Sequence, residues 1–247
     1  VTESELEELL LLVQRGNRRI DREVEGFVST LRLLMQRKIL EELSSLPQDR
    51  TIRQSRVIRL LGGLESLVLT EDVMEHIQSL EDIFDLQYSL MEQWYSAAND
   101  DDEMEDRRVP NMGVFVNSRE QNVTIMARAY ANEVRQGLAD SVITGERISD
   151  FELADVPATR IFKALDTDLK TATASYSRMI AMNQGRRFVL YAGPRDARNR
   201  PFCAERVNKI FPIEVVYTWD NGQGIPANLY CGGYGCRHVL IPVAKGL

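Results

Sequence analysis

Histidine and cysteine are scarce in this chain of 247 residues, which has two of the first and three of the second. With only His76 and His238 available, a histidine-driven triad or a two-histidine nuclease site is not expected. An odd number of cysteines does not suit a small secreted domain stapled wholly by disulfides, and fits reduced thiols or metal ligands. No apolar run approaches the ~20 residues that a membrane-spanning helix needs. The opening VTESELEELL is acidic where a secretory signal would be basic. Gly-x-Ser-x-Gly, Gly-x-x-x-x-Gly-Lys-[Ser/Thr] and His-Glu-x-x-His do not occur. Carboxylate pairs such as Asp100 and Asp102 fall in a charged link, where no rigid frame holds them. The expectation is a protein that is not an enzyme.

What is present is ordinary in bulk and uneven in detail. A hydrophobic content of 44% with 27% charged residues suits one large globular domain or two modest ones. The formal net charge is −7, yet from Arg186 onward nine Lys/Arg face four acids. That end is therefore +5 and the first 185 residues carry −12. Any contact with phosphate is expected from the C-terminal end, because the acidic remainder repels nucleic acid.

The first segment reads as one long helix. Thr2 with Glu5 fits a capping box, and the early acids sit where the helix dipole favours them. Leu6, Leu10, Val13, Asn17, Ile20, Val24, Phe27, Leu31 and Leu34 follow a 4-3-4-3 spacing, a heptad seam with one polar break at Asn17. That seam serves either the chain's own core or a partner helix. If it continues to about Leu46, the helix is roughly 65 Å long at ~1.5 Å rise per residue, and Pro47 ends it. A shorter helix from about Ile52 is expected to bend at Gly62-Gly63. Thr70 caps another, carrying Val73, Ile77, Leu80, Phe84, Met91 and Tyr95 on one stripe. His76 on that helix reads as an ordinary boundary residue.

The acidic run Asn99 to Arg108 reads as a solvated link, and a loop through residue 117 follows it. A helix from about Ser118 then buries Val123, Met126, Tyr130, Val134, Leu138 and Val142, with Gly145 at its C′ position. After a loop with Asp150, Asp155 and Pro157, a further helix carries Ile161, Leu165, Leu169, Tyr176, Met179 and Met182, and Gly185 ends it. Four segments result: a helical region 1–98, a link and loop 99–117, a helical part 118–185 and a small cysteine-containing module 186–247. The fold class expected is α+β, predominantly α.

In the last segment the spacing predicts a strand over Arg187 to Tyr191 and a turn at Gly193-Pro194. A short helix opened by Pro201 follows, then strands over Ile213 to Trp219 and Arg237 to Val243. Such a small unit needs a staple. Cys203, Cys231, Cys236 and His238 form the ligand set of a structural zinc site. Cys236 and His238, two apart, point to one face of an extended segment. Buried free thiols, or one disulfide and a spare cysteine, are the alternatives. Arg195, Arg198 and Arg200 with Asp196 either bind phosphate or a carboxylate, or satisfy loop carbonyls and turn N–H groups.

FVLYAGPRDARNRPFC, then DNGQG, then CGGYGCRH resembles the C-terminal part of the minor head proteins (Mu F-like head-morphogenesis proteins) of tailed bacteriophages. The residues that carry it are Tyr191, Gly193, Pro194, Asp196, Arg198, Arg200, Pro201, Phe202, Cys203, Gly232, Gly233, Tyr234, Cys236, Arg237 and His238. The likeness spans about residues 120 to 243 and is sharp from Phe188 onward. Other branches of that family pair cysteines near the first one, where this chain has Arg206, and Cys231 takes the missing place. The resemblance implies a low-copy virion protein at the portal vertex, assembled in the host cytoplasm, with portal or capsid proteins as partners. Its basic module would face protein carboxylates or packaged DNA. A nucleic-acid-binding zinc module on a helical stalk, or an enzyme of genome entry, are the competing readings.

Overall fold

The computed structural model describes residues 3–52, 55–99, 112–153, 158–183 and 185–244. Thr2, most of the acidic link including Asp100 and Asp102, Asp155 and Pro157 lie outside them. The chain is mostly helical with one small antiparallel sheet, so the fold is α+β and predominantly α. The long helices are α1 (Glu3–Ser44), α2 (Ser55–Val68), α3 (Glu71–Gln78), α4 (Leu80–Asn99), α5 (Met112–Thr144) and α6 (Ala158–Asn183). After them come β1 (Phe188–Ala192), α7 (Pro201–Ala204), β2 (Ile210–Pro212), α8 (Ile213–Val216), α9 (Ala227–Tyr230) and β3 (Val239–Val243). Among the described residues no helix is long and apolar enough to cross a membrane.

Packing groups the chain differently from the segments read along it. One compact unit comprises Val1–Val24, Asp82–Met112 and Lys163–Leu247, and the other Glu25–Glu81 and Gly113–Phe162. The heptad seam of α1 is core: Leu10, Val13, Ile20, Val24, Phe27 and Leu31 are buried by the chain itself, and Leu6, Asn17 and Leu34 are half-buried. As a seam for a partner helix it is therefore closed, because its apolar stripe is already covered. Gly16 shows how tightly: a Cβ there would lie 2.6 Å from the ring of Trp94 on α4. Beside it in the same unit, Gln87 of α4 donates a buried 2.9 Å hydrogen bond to Thr173 of α6.

In the other unit Phe27 stacks on His76, ring centroids 4.5 Å apart, and the imidazole Nε2 lies 2.9 Å from the Phe27 carbonyl. Ile52 N–H donates to Glu146, and Ile148 N–H donates to Arg50, tying the turn after α1 to the end of α5.

Several boundaries differ from the sequence expectation, each for a local reason. Thr70 caps α3 as expected, accepting from the Val73 N–H. The single helix expected beyond it is two, because the Ser79 hydroxyl donates to the His76 carbonyl and closes the turn. Gly62-Gly63 does not interrupt α2, which runs through both glycines. Val57, Leu60, Leu64 and Val68 are all buried on one face and outweigh a cost of about 1 kcal/mol per glycine. α5 begins at Met112, so the loop expected up to residue 117 is already helix from there. Val123, Tyr130, Val134 and Leu138 are its buried stripe, while Met126 and Val142 are half-buried. Gly185 ends α6 at φ +61, with Arg186 N–H donating to Ala181 and Gly185 N–H to Met182. That pair of bonds needs the left-handed conformation glycine tolerates.

Ile213 to Val216 forms a helical turn, not a strand. β2 stops at Pro212, which has no N–H for the ladder. In α8 Val216 is buried while Glu214 and Val215 are exposed, a one-sided burial that a four-residue turn satisfies.

Candidate metal centre

The sheet runs β2-β1-β3 with both neighbours antiparallel to β1, and Tyr191 is registered with Leu240. Tyr191 is wholly buried, and both its backbone groups are bonded to the segment before β2: its N–H donates to Lys209 and its carbonyl accepts from Asn208. The strand therefore delivers one rigid phenol to the interior of the module. Pro201 opens α7 and places Cys203 against that phenol, 3.3 Å from its hydroxyl to Sγ. Cys236 and His238 arrive on the segment leading into β3, and the His238 ring stacks on Tyr191 at 5.0 Å.

These groups form one cluster. Cys203 Sγ lies 3.7 Å from Cys236 Sγ, and Cys236 Sγ lies 3.4 Å from His238 Nδ1. All three ligand atoms lie within 4.8 Å of one another, and all three residues are buried. Cys203, Cys236 and His238 could therefore hold a metal ion. The spacing is close to that of tetrahedral ligands, since a metal–sulfur bond of ~2.3 Å puts two thiolates about 3.8 Å apart. It is far too wide for a disulfide, whose sulfurs lie ~2.05 Å apart, and all three cysteines are free thiols.

Cys231 does not join them, and here the four-ligand expectation is corrected. It is buried in the same apolar cluster, but its sulfur falls outside the group of mutually close ligand atoms. Its backbone takes φ +49 at the end of α9, where its N–H closes the turn onto Ala227. Burial pushes its thiol up, and the neighbouring Cys236 raises it further.

The electrostatics single out Cys236. The Gly232 N–H donates to its Sγ at 3.3 Å, and the hydrogen bond shared with Cys203, followed by the contact with His238, holds its thiol well below the ordinary range. Cys203, its partner in that bond, is pushed up by Cys236 and by burial. His238 is oriented from behind: its Nε2 lies 3.0 Å from the Pro194 carbonyl. With the proton on Nε2, Nδ1 is left as the free lone pair facing the sulfurs, which is how a metal-ligating imidazole is usually held.

Two glycines of the motif exist for space. A Cβ on Gly232 would lie 2.2 Å from Cys203 Sγ, and one on Gly193 would lie 2.5 Å from the His238 ring. Gly233, at φ +100, packs against the Gln223 side chain, whose oxygen accepts from the Tyr234 N–H.

The arginines divide. Arg200 donates to the Gly232 and Tyr234 carbonyls at 2.6 and 2.7 Å, clamping the loop that carries Cys236. Arg237 makes a bidentate pair with Asp196, both bonds 2.7 Å, and Asp196 also accepts from the Arg198 N–H. Arg206, at the position where a second cysteine was considered, lies 4.0 Å over the Phe202 ring and 5.0 Å over Trp219. Arg195 and Arg198 are exposed. For Arg200 and Asp196 the structural alternative holds: they satisfy loop carbonyls and turn N–H groups.

Sequence reasoning placed Tyr191 in the motif but missed its hydroxyl as a neighbour of both sulfurs, and missed the Pro194 carbonyl that orients His238. A signal for the second was present, since Gly193-Pro194 and His238 belong to one motif. No protein-family model matches the chain, and no curated protein or solved structure matches it either.

Proposed function

We propose that this chain is a structural virion protein of a tailed bacteriophage, a minor head component at the portal vertex. It works by protein–protein contact, and zinc staples its C-terminal module. The observation that carries the reading is convergence. Tyr191, Gly193, Pro194, Cys203, Gly232, Cys236 and His238, spread over nearly fifty residues, meet around one buried cluster. Arg200, Asp196 and Arg237 of the same motif brace its loops. A motif most of whose members serve one centre acts as a unit, which supports the resemblance to minor head proteins.

Zinc fits the donor set better than a hard cation, because two thiols and an imidazole are soft to borderline ligands. When bound it would fix two distant segments of a module too small to rely on its core alone. Cys203 would tie α7, and Cys236 and His238 the approach to β3. Arg198 of the motif and the neighbouring Arg195 face solvent, available to portal carboxylates or packaged DNA.

The test is assembly. Purified chain mixed with portal protein from the same phage is expected to co-elute with it and to appear at the vertex in particle reconstructions. A chain that elutes alone at every salt concentration and is missing from purified virions contradicts the reading.

A further inference from the structure

Next to the metal centre, in the same unit, lies a groove of about 400 Å3. Its floor is the small face of α6, where Ala174, Ser177 and Ala181 leave the helix backbone open to close approach. Val189, Ile213, Leu229 and Leu240 make its walls apolar. At its lip Met182 is 71% exposed and Tyr217 is 50% exposed. Two large apolar side chains beside an apolar hollow form a continuous patch, the kind that marks a contact site.

The rim is predominantly positive. Arg178, Arg186 and Arg187 border the groove, against Glu214 alone. Arg178 lies over the Tyr217 ring at 5.8 Å, and Arg186 donates toward the Tyr95 hydroxyl at 3.4 Å. Arg187 is exposed, and its carbonyl accepts from the Ile213 N–H. Guanidinium groups around an apolar hollow are complementary to large apolar side chains flanked by carboxylates. DNA fits the rim but not the walls, which are mainly apolar. The exposed Met182 and Tyr217 carry the apolar surface beyond the hollow, as a polypeptide requires and a small ligand does not.

We propose that this groove is a docking site for an acidic segment of a partner protein, one that inserts a large apolar side chain between flanking Asp or Glu residues. The inference stands on the groove alone, whatever the chain's place in a virion.

The probes are two fluorescein-labelled 12-residue peptides with Phe and Leu anchors, one with Glu at the intervening positions and one with Lys, titrated into the full chain. The Glu peptide is expected to bind saturably, and the Lys peptide at least tenfold more weakly. Ala181→Trp fills the floor and should lower the affinity at least tenfold. The pair Arg178→Glu with Arg187→Glu, on exposed rim positions, should reverse the preference toward the Lys peptide. Should the tryptophan variant not fold by circular dichroism, the rim pair carries the test alone. Equal binding of both peptides, no saturable binding of the Glu peptide, or a preference unmoved by the rim pair overturns the proposal. Saturable binding of dodecanoate without peptide binding would instead make the groove a small-ligand site. Self-association lost with the rim pair would give it to a second copy.

Discussion

His238 Nδ1 faces Cys236 Sγ at 3.4 Å while its other nitrogen lies 3.0 Å from the Pro194 carbonyl. That two-sided hold joins the turn after β1 to the start of β3 through a single ring. It makes the Gly193-Pro194 turn part of the centre although neither residue is a ligand. Replacing His238 by Gln keeps a polar group of similar reach but removes the ring. The expected outcome is loss of bound metal with a fall in thermal midpoint, read by elemental analysis and calorimetry on one preparation.

Gly232 and Gly62 predict opposite outcomes for one substitution. Gly232→Ala forces a methyl group onto Cys203 Sγ, which would lie 2.2 Å away, and overpacking of this kind costs about 1–3 kcal/mol. Gly62→Ala meets nothing within 4 Å on helix α2 and should gain roughly 0.5–1 kcal/mol from helix propensity. Denaturant midpoints of the two variants, moving in opposite directions, check both.

Arg200 and Arg198 separate bracing from binding. Arg200→Ala strips hydrogen bonds from two loop carbonyls and should destabilise by about 1.5–3 kcal/mol, the range for bonds made by a charged donor. Arg198→Ala, at an exposed position, should stay within about 0.5 kcal/mol. If DNA binding is found, salt titration should show Arg198→Ala lowering its slope while the fold is intact.

Asp196 supplies an acid-side dependence. The Arg237 guanidinium, helped by the Arg198 N–H, holds its carboxyl down to about 2, below the ~3.9 of an unfolded chain. A group lowered on folding stabilises above its unfolded value and loses that contribution as pH falls through its folded value. The contribution is therefore full above about pH 4 and fades toward pH 2. Asp196→Asn should flatten that part of the stability–pH curve, and added salt should shrink the difference, because the pair is at the surface. Unfolding curves of both proteins between pH 2 and 5 measure it.

Legibility in the sequence followed the range of the interactions. The seam of α1 was readable because Leu10, Val13, Ile20, Val24, Phe27 and Leu31 repeat at helical spacing and are buried. Whether a partner or the chain itself covers them depends on distant helices, and spacing carries no such information. Thr70 and Gly185 were readable because caps are local chemistry. Ile213 to Val216 was not: its β-branched residues suit a strand, and burial of Val216 alone, set by packing, makes a turn of helix. At the centre, the residue types picked out three true neighbours, Cys203, Cys236 and His238, which could hold a metal. Cys231 was assigned by type as well, but its sulfur is placed by the φ +49 backbone after α9, which spacing does not reveal.

The most direct test of the account is metal content with cobalt absorption spectra, on the wild-type chain and four single variants. The account predicts about one zinc per chain, and a cobalt form whose thiolate absorption is lost in Cys203→Ser and Cys236→Ser and whose binding is lost in His238→Ala. Cys231→Ser should keep both the metal and the tetrahedral spectrum. Metal-free protein with three freely titrating thiols contradicts the account, as does a Cys231→Ser variant that loses the metal as completely as the other three.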